Sequence, residues 1–470
     1  MNFWDAAGEL TAGPLAFLII ALLVAFAFEF INGFHDTANA VTTVIYTRTL
    51  TPTPAVLYSG AMNFLGALIT VIFFGAAVAF SIVNLLPVDL LVNARSSAAL
   101  VMVLSLLLAG VIWNLGTWYM GLPVSSSHTL IGCILGVGIA NSLWNGNGIS
   151  GVNWGKAGEV GLGLLFSPLI GFVLAGGLLL LMKRTLKEPR LYQPPVGDDR
   201  PPRWVRLVLI LTCGGVSFAH GSNDGQKGMG LLLLVLIGFM PAHYALTVNR
   251  PEMAPEVLAA TVEVRAEYEK HKVAVTEQQG KDLDFLAKTL ADKASFNDLP
   301  NNRDARWEVR QSLMRVTREL KRVEAEPGTP PEFKKSVEKL RQDKLSSAVE
   351  FIPLWVVVCT ALALGIGTTI GYKRIVITVA EKIGKTHLTY AQGAAAETVA
   401  AITIMAADVA HLPVSTTQIL SSGVAGTMAA NGSGVQGGTC KKILLAWALT
   451  LPASMILAAV LFTLGRLITG

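Results

Sequence analysis

Long apolar runs separated by short polar loops fill both ends of the chain. Ten segments read as membrane-crossing helices: 15–46, 57–83, 98–118, 122–140, 158–182, 207–241, 352–371, 388–410, 412–430 and 443–468. Each approaches or exceeds the roughly 20 apolar residues that a crossing needs. The first and sixth are too long for a simple span, and glycine with polar residues interrupts them at 32–39 and 220–228. The pattern there predicts broken helices, because open backbone survives at membrane depth only inside protein or beside a water-filled cavity. Residues 243–350 read differently. They are rich in Glu and Lys, lack long apolar runs, and break at Pro327, Pro330 and Pro331. This stretch predicts a soluble helical module.

Composition sharpens that division. The chain has 470 residues, 52% hydrophobic and 15% charged, where a soluble domain carries about 25% charged. Residues 250–350 hold 19 Lys/Arg and 19 Asp/Glu, which is 38 of the 69 charges. A soluble enzyme with one core is excluded, as are fibrous, disordered and disulfide-framework classes. What remains is an all-α polytopic membrane protein with one insert. The expected organisation is a first transmembrane repeat (1–182), a basic linker (183–206), the start of a second repeat (207–242), the insert (243–350) and the rest of the second repeat (351–470). Cys133, Cys213, Cys359 and Cys440 are far apart in sequence and read as packing residues. No Lys or Arg occurs between Met1 and Pro14, so no cleaved signal peptide is read. The net charge of +5 does not point to nucleic acid, since the insert is neutral.

The loop charges give an orientation. With the N-terminus outside and each segment crossing once, cytoplasmic loops hold fourteen Lys/Arg and the opposite side holds Arg95, Lys156 and Arg466. Fourteen against three follows the positive-inside rule. The expected location is the cell inner membrane, with the termini and the insert on the periplasmic side and Trp144 and Trp154 as interfacial anchors.

Two motifs occur twice. Leu122-Pro123-Val124-Ser125-Ser126-Ser127-His128 recurs as Leu412-Pro413-Val414-Ser415-Thr416-Thr417-Gln418. Upstream lie Asn32-Gly33-Phe34-His35-Asp36-Thr37-Ala38-Asn39 and His220-Gly221-Ser222-Asn223-Asp224-Gly225-Gln226-Lys227. Asp36 precedes Ser125 by 89 residues and Asp224 precedes Ser415 by 191. The excess matches the charged insert, and Pro168 and Pro452 supply a third anchor. Five crossings per half is an odd number, so the second half enters from the opposite side. The fold expected is therefore two inverted-topology repeats with broken helices and re-entrant-like Pro-Val-Ser turns, the plan of secondary transporters.

These motifs can bind an anion. Proline suits the first turn of a helix, so Ser125, Ser126 and Ser127, with Ser415, Thr416 and Thr417, would bring hydroxyls and free N–H groups to two helix starts. Such ends attract anions. The alternative is that the hydroxyls cap kinks or bond between helices. Five acids fall within spans: Glu29, Asp36, Asp224, Glu397 and Asp408. A membrane acid usually marks an ion or proton path. Asp36 and Asp224 are paired by the duplication and are placed at the substrate or its coupling ion. Glu397 has Leu107 as its first-half counterpart, so its role is asymmetric. Glu29 and Asp408 have no partner and are read as structural as readily as functional. Asn114 either lines the pathway or bonds between helices. No ATPase module or nucleotide motif is present, so transport draws on an ion gradient, and no enzyme chemistry is read.

The paired glycine–aspartate segments and paired Pro-Val-Ser-Ser/Thr turns resemble the PiT inorganic phosphate transporters over nearly all of the chain outside the insert. The resemblance implies phosphate carried with a coupling cation, the hydroxyl turns as phosphate ligands, and, in the bacterial branch, a neutral metal–phosphate complex moving with protons. No covalent cofactor is implied; a divalent cation such as magnesium would travel with phosphate, and the metal ligands are left open. Expected partners are phosphate, protons or sodium, a divalent metal and the lipid bilayer, with a homodimer admissible. The family's pattern runs Gly-x-Asn-Asp with a further Asn three residues on. Here His35 replaces the first Asn while Asn39 remains, and in the second half Asn223 remains while Lys227 replaces the later Asn. An ammonium donates and cannot ligate sodium, and histidine titrates near neutrality, so proton coupling is favoured over sodium. Other readings are a symporter for sulfate or arsenate and, in another class, a membrane-anchored receptor acting through its insert.

Overall fold

The computed structural model describes residues 3–8, 10–83, 85, 97–149, 152–195, 200–248, 250–300 and 303–469. The described residues are almost entirely helical, and they contain no strand beyond one isolated bridge between Gly384 and Val435. The chain divides into two compact units. The larger comprises Ile20–Leu90, Ser96–Leu232 and Pro353–Gly470; the smaller is built mainly from Leu233–Ile352, with the N-terminal residues up to Ile19.

The main helices are α1 (Ala12–Tyr46), α2 (Pro52–Phe74), α3 (Ala77–Val83), α4 (Ser97–Tyr119), α5 (Ser126–Trp144), α6 (Trp154–Thr185) and α7 (Arg203–Phe239). The insert supplies α8 (Met253–Lys270), α9 (Glu277–Leu290), α10 (Arg303–Ala325) and α11 (Pro331–Leu340). Then come α12 (Leu354–Thr368), α13 (Tyr390–Val409), α14 (Thr416–Asn431) and α15 (Gly437–Thr469). Every apolar run expected to cross coincides with a helix, although 57–83 is split at Gly75, whose φ is 85°. Among the described residues seven helices are long and apolar enough to cross a membrane. Helices α12 and α14 are shorter, at 15 and 16 residues.

The expected breaks at 32–39 and 220–228 are absent: α1 and α7 are continuous, with 35 and 37 residues. Their glycines serve close packing instead. A Cβ on Gly33 would lie 2.3 Å from the Leu364 carbonyl oxygen, and one on Gly221 would lie 2.0 Å from that of Asn63. Likewise Gly66 faces the Phe218 backbone and Gly367 faces the Phe30 backbone. Only the absence of a side chain lets two helix backbones come this close. The pairs are related by constant offsets: Phe30 and Gly33 stand 188 positions before Phe218 and Gly221, and Asn63 and Gly66 stand 301 before Leu364 and Gly367. Each half thus seats its glycines against the other half.

The true breaks are at the Pro-Val-Ser turns, between α4 and α5 and between α13 and α14. Gly121 and His411 take φ values of 66° and 59° there, ending one helix so that the next can start. The final long helix of each half packs across as well. Gly136 in α5 meets the Met455 backbone of α15, and Gly426 in α14 meets the Phe172 backbone of α6. Pro168 and Pro452 both lie inside these last helices. This reciprocal packing is compatible with two related halves.

In the smaller unit, α8 to α11 are amphipathic. Val257, Val264, Leu283, Leu286, Leu313, Val316, Phe333 and Val337 are fully buried. Tyr268 and Phe333 meet edge to face at 5.0 Å. Arg315 holds Asp282 through two nitrogens at 2.6 and 2.9 Å. Burial resists ionisation of Asp282, but the hydrogen bonds from Arg315 and Gln278 outweigh it and hold the carboxyl below its ordinary range.

Candidate transport site

Both turns form helix N-termini in the same way. Ser125 precedes α5 in an extended conformation, and its hydroxyl accepts the His128 N–H at 3.2 Å. Ser415 does the same for α14 with the Gln418 N–H at 3.2 Å. These two hydroxyls are N-caps, satisfying one of the unbonded donors of each helix start. The hydroxyls that follow point elsewhere. Thr417 donates to Asp36, and Thr416 donates to Asp224 Oδ2 at 3.3 Å. Ser127 donates to the Val414 carbonyl at 3.1 Å, which joins one turn to the other.

Helix periodicity explains why α7 contributes so much. His220, Asp224 and Lys227 are spaced i, i+4, i+7 and share one face. His220 Nε2 lies 3.0 Å from Asp224 Oδ2 and 3.7 Å from Asp36 Oδ2, while its Nδ1 meets Asn63 Oδ1 at 2.9 Å. Lys227 Nζ reaches Asp224 Oδ1 at 2.5 Å, Ser127 Oγ at 2.6 Å and the Val414 carbonyl at 2.7 Å. An ammonium has three donors, and these three contacts use them all. His35 Nδ1 approaches Asp36 Oδ1 at 3.4 Å, and its other ring nitrogen lies 3.4 Å from Thr117 Oγ1.

The structure therefore gathers Asp36, Asp224, Lys227, His35, Ser127, Thr416 and Thr417 in one buried cluster. Beside Asp36 lies a small cavity, also lined by Asn63, His220 and Thr416, with room for about one water molecule. Ser126 Oγ, His128 Nδ1 and Gln418 Oε1 are buried without a hydrogen-bond partner at the two helix starts. Buried polar atoms are rarely left unpaired, and here they lie beside free N–H groups of the kind that bind anions.

Asn223 acts as a brace. Its amide donates to Asp408 Oδ1 at 2.5 Å and to the Leu412 carbonyl at 3.3 Å, and its oxygen accepts the Val414 N–H at 3.5 Å. Ser222 also donates to Asp408. Asp408 thus ties α7 to the end of α13, and Asn223 ties it to the second turn. Glu397 forms a separate group, accepting from Thr43 and, at 2.5 Å, from Thr212. Asn114 is fully buried, and neither its amide oxygen nor its nitrogen has a partner. Asn39 is on the helical backbone of α1, and its side chain falls outside the described residues.

Sequence reasoning gave no role to His220 or Asn63. The spacing of His220 to Asp224 and Lys227 was the available signal, and it is informative only on a helix, whereas the segment reads as a break. Asp36, His220 and Asp224 each offer one ligand atom within 4.8 Å of the others. Two carboxylate oxygens and an imidazole nitrogen suit a divalent cation.

A family model described as the phosphate transporter family matches residues 32–458. The chain belongs to this family. It is 42% identical to the low-affinity inorganic phosphate transporter PitA of Escherichia coli K12, covering 95% of this chain and 96% of that one. It is 40% identical to PitB of the same organism over the same shares, and 29% identical to a probable low-affinity inorganic phosphate transporter of Bacillus subtilis, covering 97% and 98%. Among solved structures, one titled as the sodium-dependent phosphate transporter aligns with a TM-score of 0.59 at 20% identity, over 96% of this chain and all of that one. That likeness supports the fold alone. The family consists of membrane transporters, not enzymes, and this chain is a multi-pass member of it.

Proposed function

We propose that this chain imports inorganic phosphate across the inner membrane in symport with protons, with a divalent cation such as magnesium carried alongside. The observation that carries the reading is the meeting of the two capped turns. Ser127 of one turn bonds to Val414 of the other, and Ser126, His128 and Gln418 carry buried, unpartnered atoms at these two helix starts. N–H groups and hydroxyls offered from two helix starts are the donors that a tetrahedral oxyanion takes, and the cluster must open to admit one, since its cavity holds about one water. Asp36, His220 and Asp224 supply a donor set for the accompanying cation, so that the bound complex carries less charge.

Proton rather than sodium coupling is supported by Lys227. It stands where the family pattern has an oxygen donor, and its three protons are all engaged. Labelled phosphate uptake into proteoliposomes, with pH, sodium and magnesium varied separately, tests each part. Uptake driven by an imposed proton gradient and stimulated by magnesium is expected. Uptake that follows a sodium gradient at constant pH would reverse the coupling assignment, and competition by sulfate or arsenate equal to phosphate would reassign the anion. The insert is placed on the periplasmic side, and an impermeant thiol reagent added to intact cells should label a cysteine introduced near Lys288.

A further inference from the structure

A second cavity lies within the larger unit, built from residues that take no part in the transport cluster. It is a cleft of about 960 Å³ between the end of α1, the start of α2, the linker before α7 and the short helix Lys373–Ile377. That volume is in the range of ligand sites. Arg48, Arg200, Arg206, Lys373 and His387 line it, and none of its described lining residues is acidic. The acid that approaches its wall, Glu381, is engaged by the Tyr46 hydroxyl at 2.5 Å.

Three features mark the charge as collected rather than incidental. First, the cations come from three stretches far apart in sequence, at 48, 200–206 and 373–387, so no single basic run explains them. Second, Arg203 and Arg206 sit in the first turn of α7. The positive end of the helix dipole disfavours cations there and favours an anion. The N-terminus of α2 also meets the cleft, and its N-cap Thr51 makes no side-chain capping bond. Third, Arg48 holds a left-handed backbone with φ 57°. Glycine or asparagine would take that conformation at less cost, so arginine is present there against the local preference.

We propose that this cleft binds a phosphate group, presented either by an anionic lipid head or by free inorganic phosphate. Guanidinium forks match phosphate oxygens two at a time, and basic pockets between the ends of membrane helices bind lipid headgroups. The proposal does not depend on where the transported anion binds.

The test uses the full chain in phosphatidylcholine nanodiscs, with the triple variant R200Q/R206Q/K373Q beside it. One arm adds phosphatidylglycerol and counts retained lipid by native mass spectrometry; the other measures bound radiolabelled phosphate at equilibrium. The wild type should retain phosphatidylglycerol at least about fivefold better than the variant, or bind one more equivalent of phosphate. The first result identifies a lipid site and the second a solute site. Equal binding of both probes by wild type and variant overturns the proposal. Should the triple variant unfold, the single variants R200Q and R206Q decide by the same two readouts, and wild-type binding of both probes by each overturns the proposal equally.

Discussion

Two kinds of segment in this protein carry glycine, proline and hydroxyl residues, and they behave in opposite ways. The glycine–aspartate stretches of α1 and α7 stay helical throughout, whereas the Pro-Val-Ser turns interrupt the chain. The difference lies in what each residue can do for a helix. Proline lacks an N–H and disfavours helix for the residue before it; at Pro123 and Pro413 it adds to the left-handed Gly121 and His411 that end the helix, whereas Pro168 and Pro452, without such a residue, stay inside helices. Glycine in a helix costs only about 1 kcal/mol relative to alanine, and a second helix backbone at contact distance recovers it. Glycine can mark proximity as readily as a break.

The sharpest test of the continuous helices is the charge on them. Asp224→Asn would leave the Lys227 ammonium buried without its carboxylate, at about 3–5 kcal/mol, and should abolish uptake. Removing both charges in Asp224→Asn with Lys227→Met should restore most of the thermal stability but not transport. Asp36→Asn should also abolish uptake, and normal turnover with both acids neutralised would remove them from the mechanism.

Next in size is the glycine contact itself. Gly221→Ala places a methyl against the Asn63 carbonyl, at 2.0 Å before relaxation, and should cost about 1–3 kcal/mol, read as a lower melting temperature. Gly116→Ala in α4 meets nothing within 4 Å and should gain up to about 1 kcal/mol. If Gly221→Ala were as benign as Gly116→Ala, the close packing would be wrong and a flexible break would return as the explanation.

The turns divide into caps and ligands. Ser125→Ala and Ser415→Ala should each lose about 0.5–2 kcal/mol of helix stability and weaken uptake with it. Ser126→Ala has no hydrogen bond to lose; it should leave the melting temperature unchanged while raising the phosphate concentration needed for half-maximal uptake. The smallest effect concerns the insert. Asp282 is ionised more readily folded than unfolded, so its contribution is present at neutral pH and fades as pH falls through the lowered folded value. Hydrogen exchange across α9 and α10 in the full chain should rise in acid, and Arg315→Gln should make that rise smaller.

Much of this was legible in the sequence. Apolar runs placed every long helix outside the insert, because a membrane demands them. The repeated motif paired Asp36 with Asp224, and their carboxylate oxygens come within 4.8 Å of each other. The glycines were misread because their partners are backbone atoms of the other half, which no local pattern names; the spacing of Gly221 and Gly225 in one small-residue face was the available hint. Lys227 was read as a charge near Asp224, and its reach to both turns required the fold. The braces through Asp408 and Asn223 had no signal, since they join residues 185 positions apart.

The reciprocal glycine contacts bear on how the protein is made. The groove beside Gly66 waits for Phe218, the one beside Gly33 for Leu364, and the one beside Gly136 for Met455. A ribosome delivers Phe218 152 residues after Gly66, and Met455 319 residues after Gly136. Until then the early helices stand in the bilayer with bare backbone grooves on their flanks, and the whole insert is synthesised in the interval. These contacts close only once the second half is present, and a chain cut within 183–206 should yield two pieces that are degraded separately and survive only when produced together.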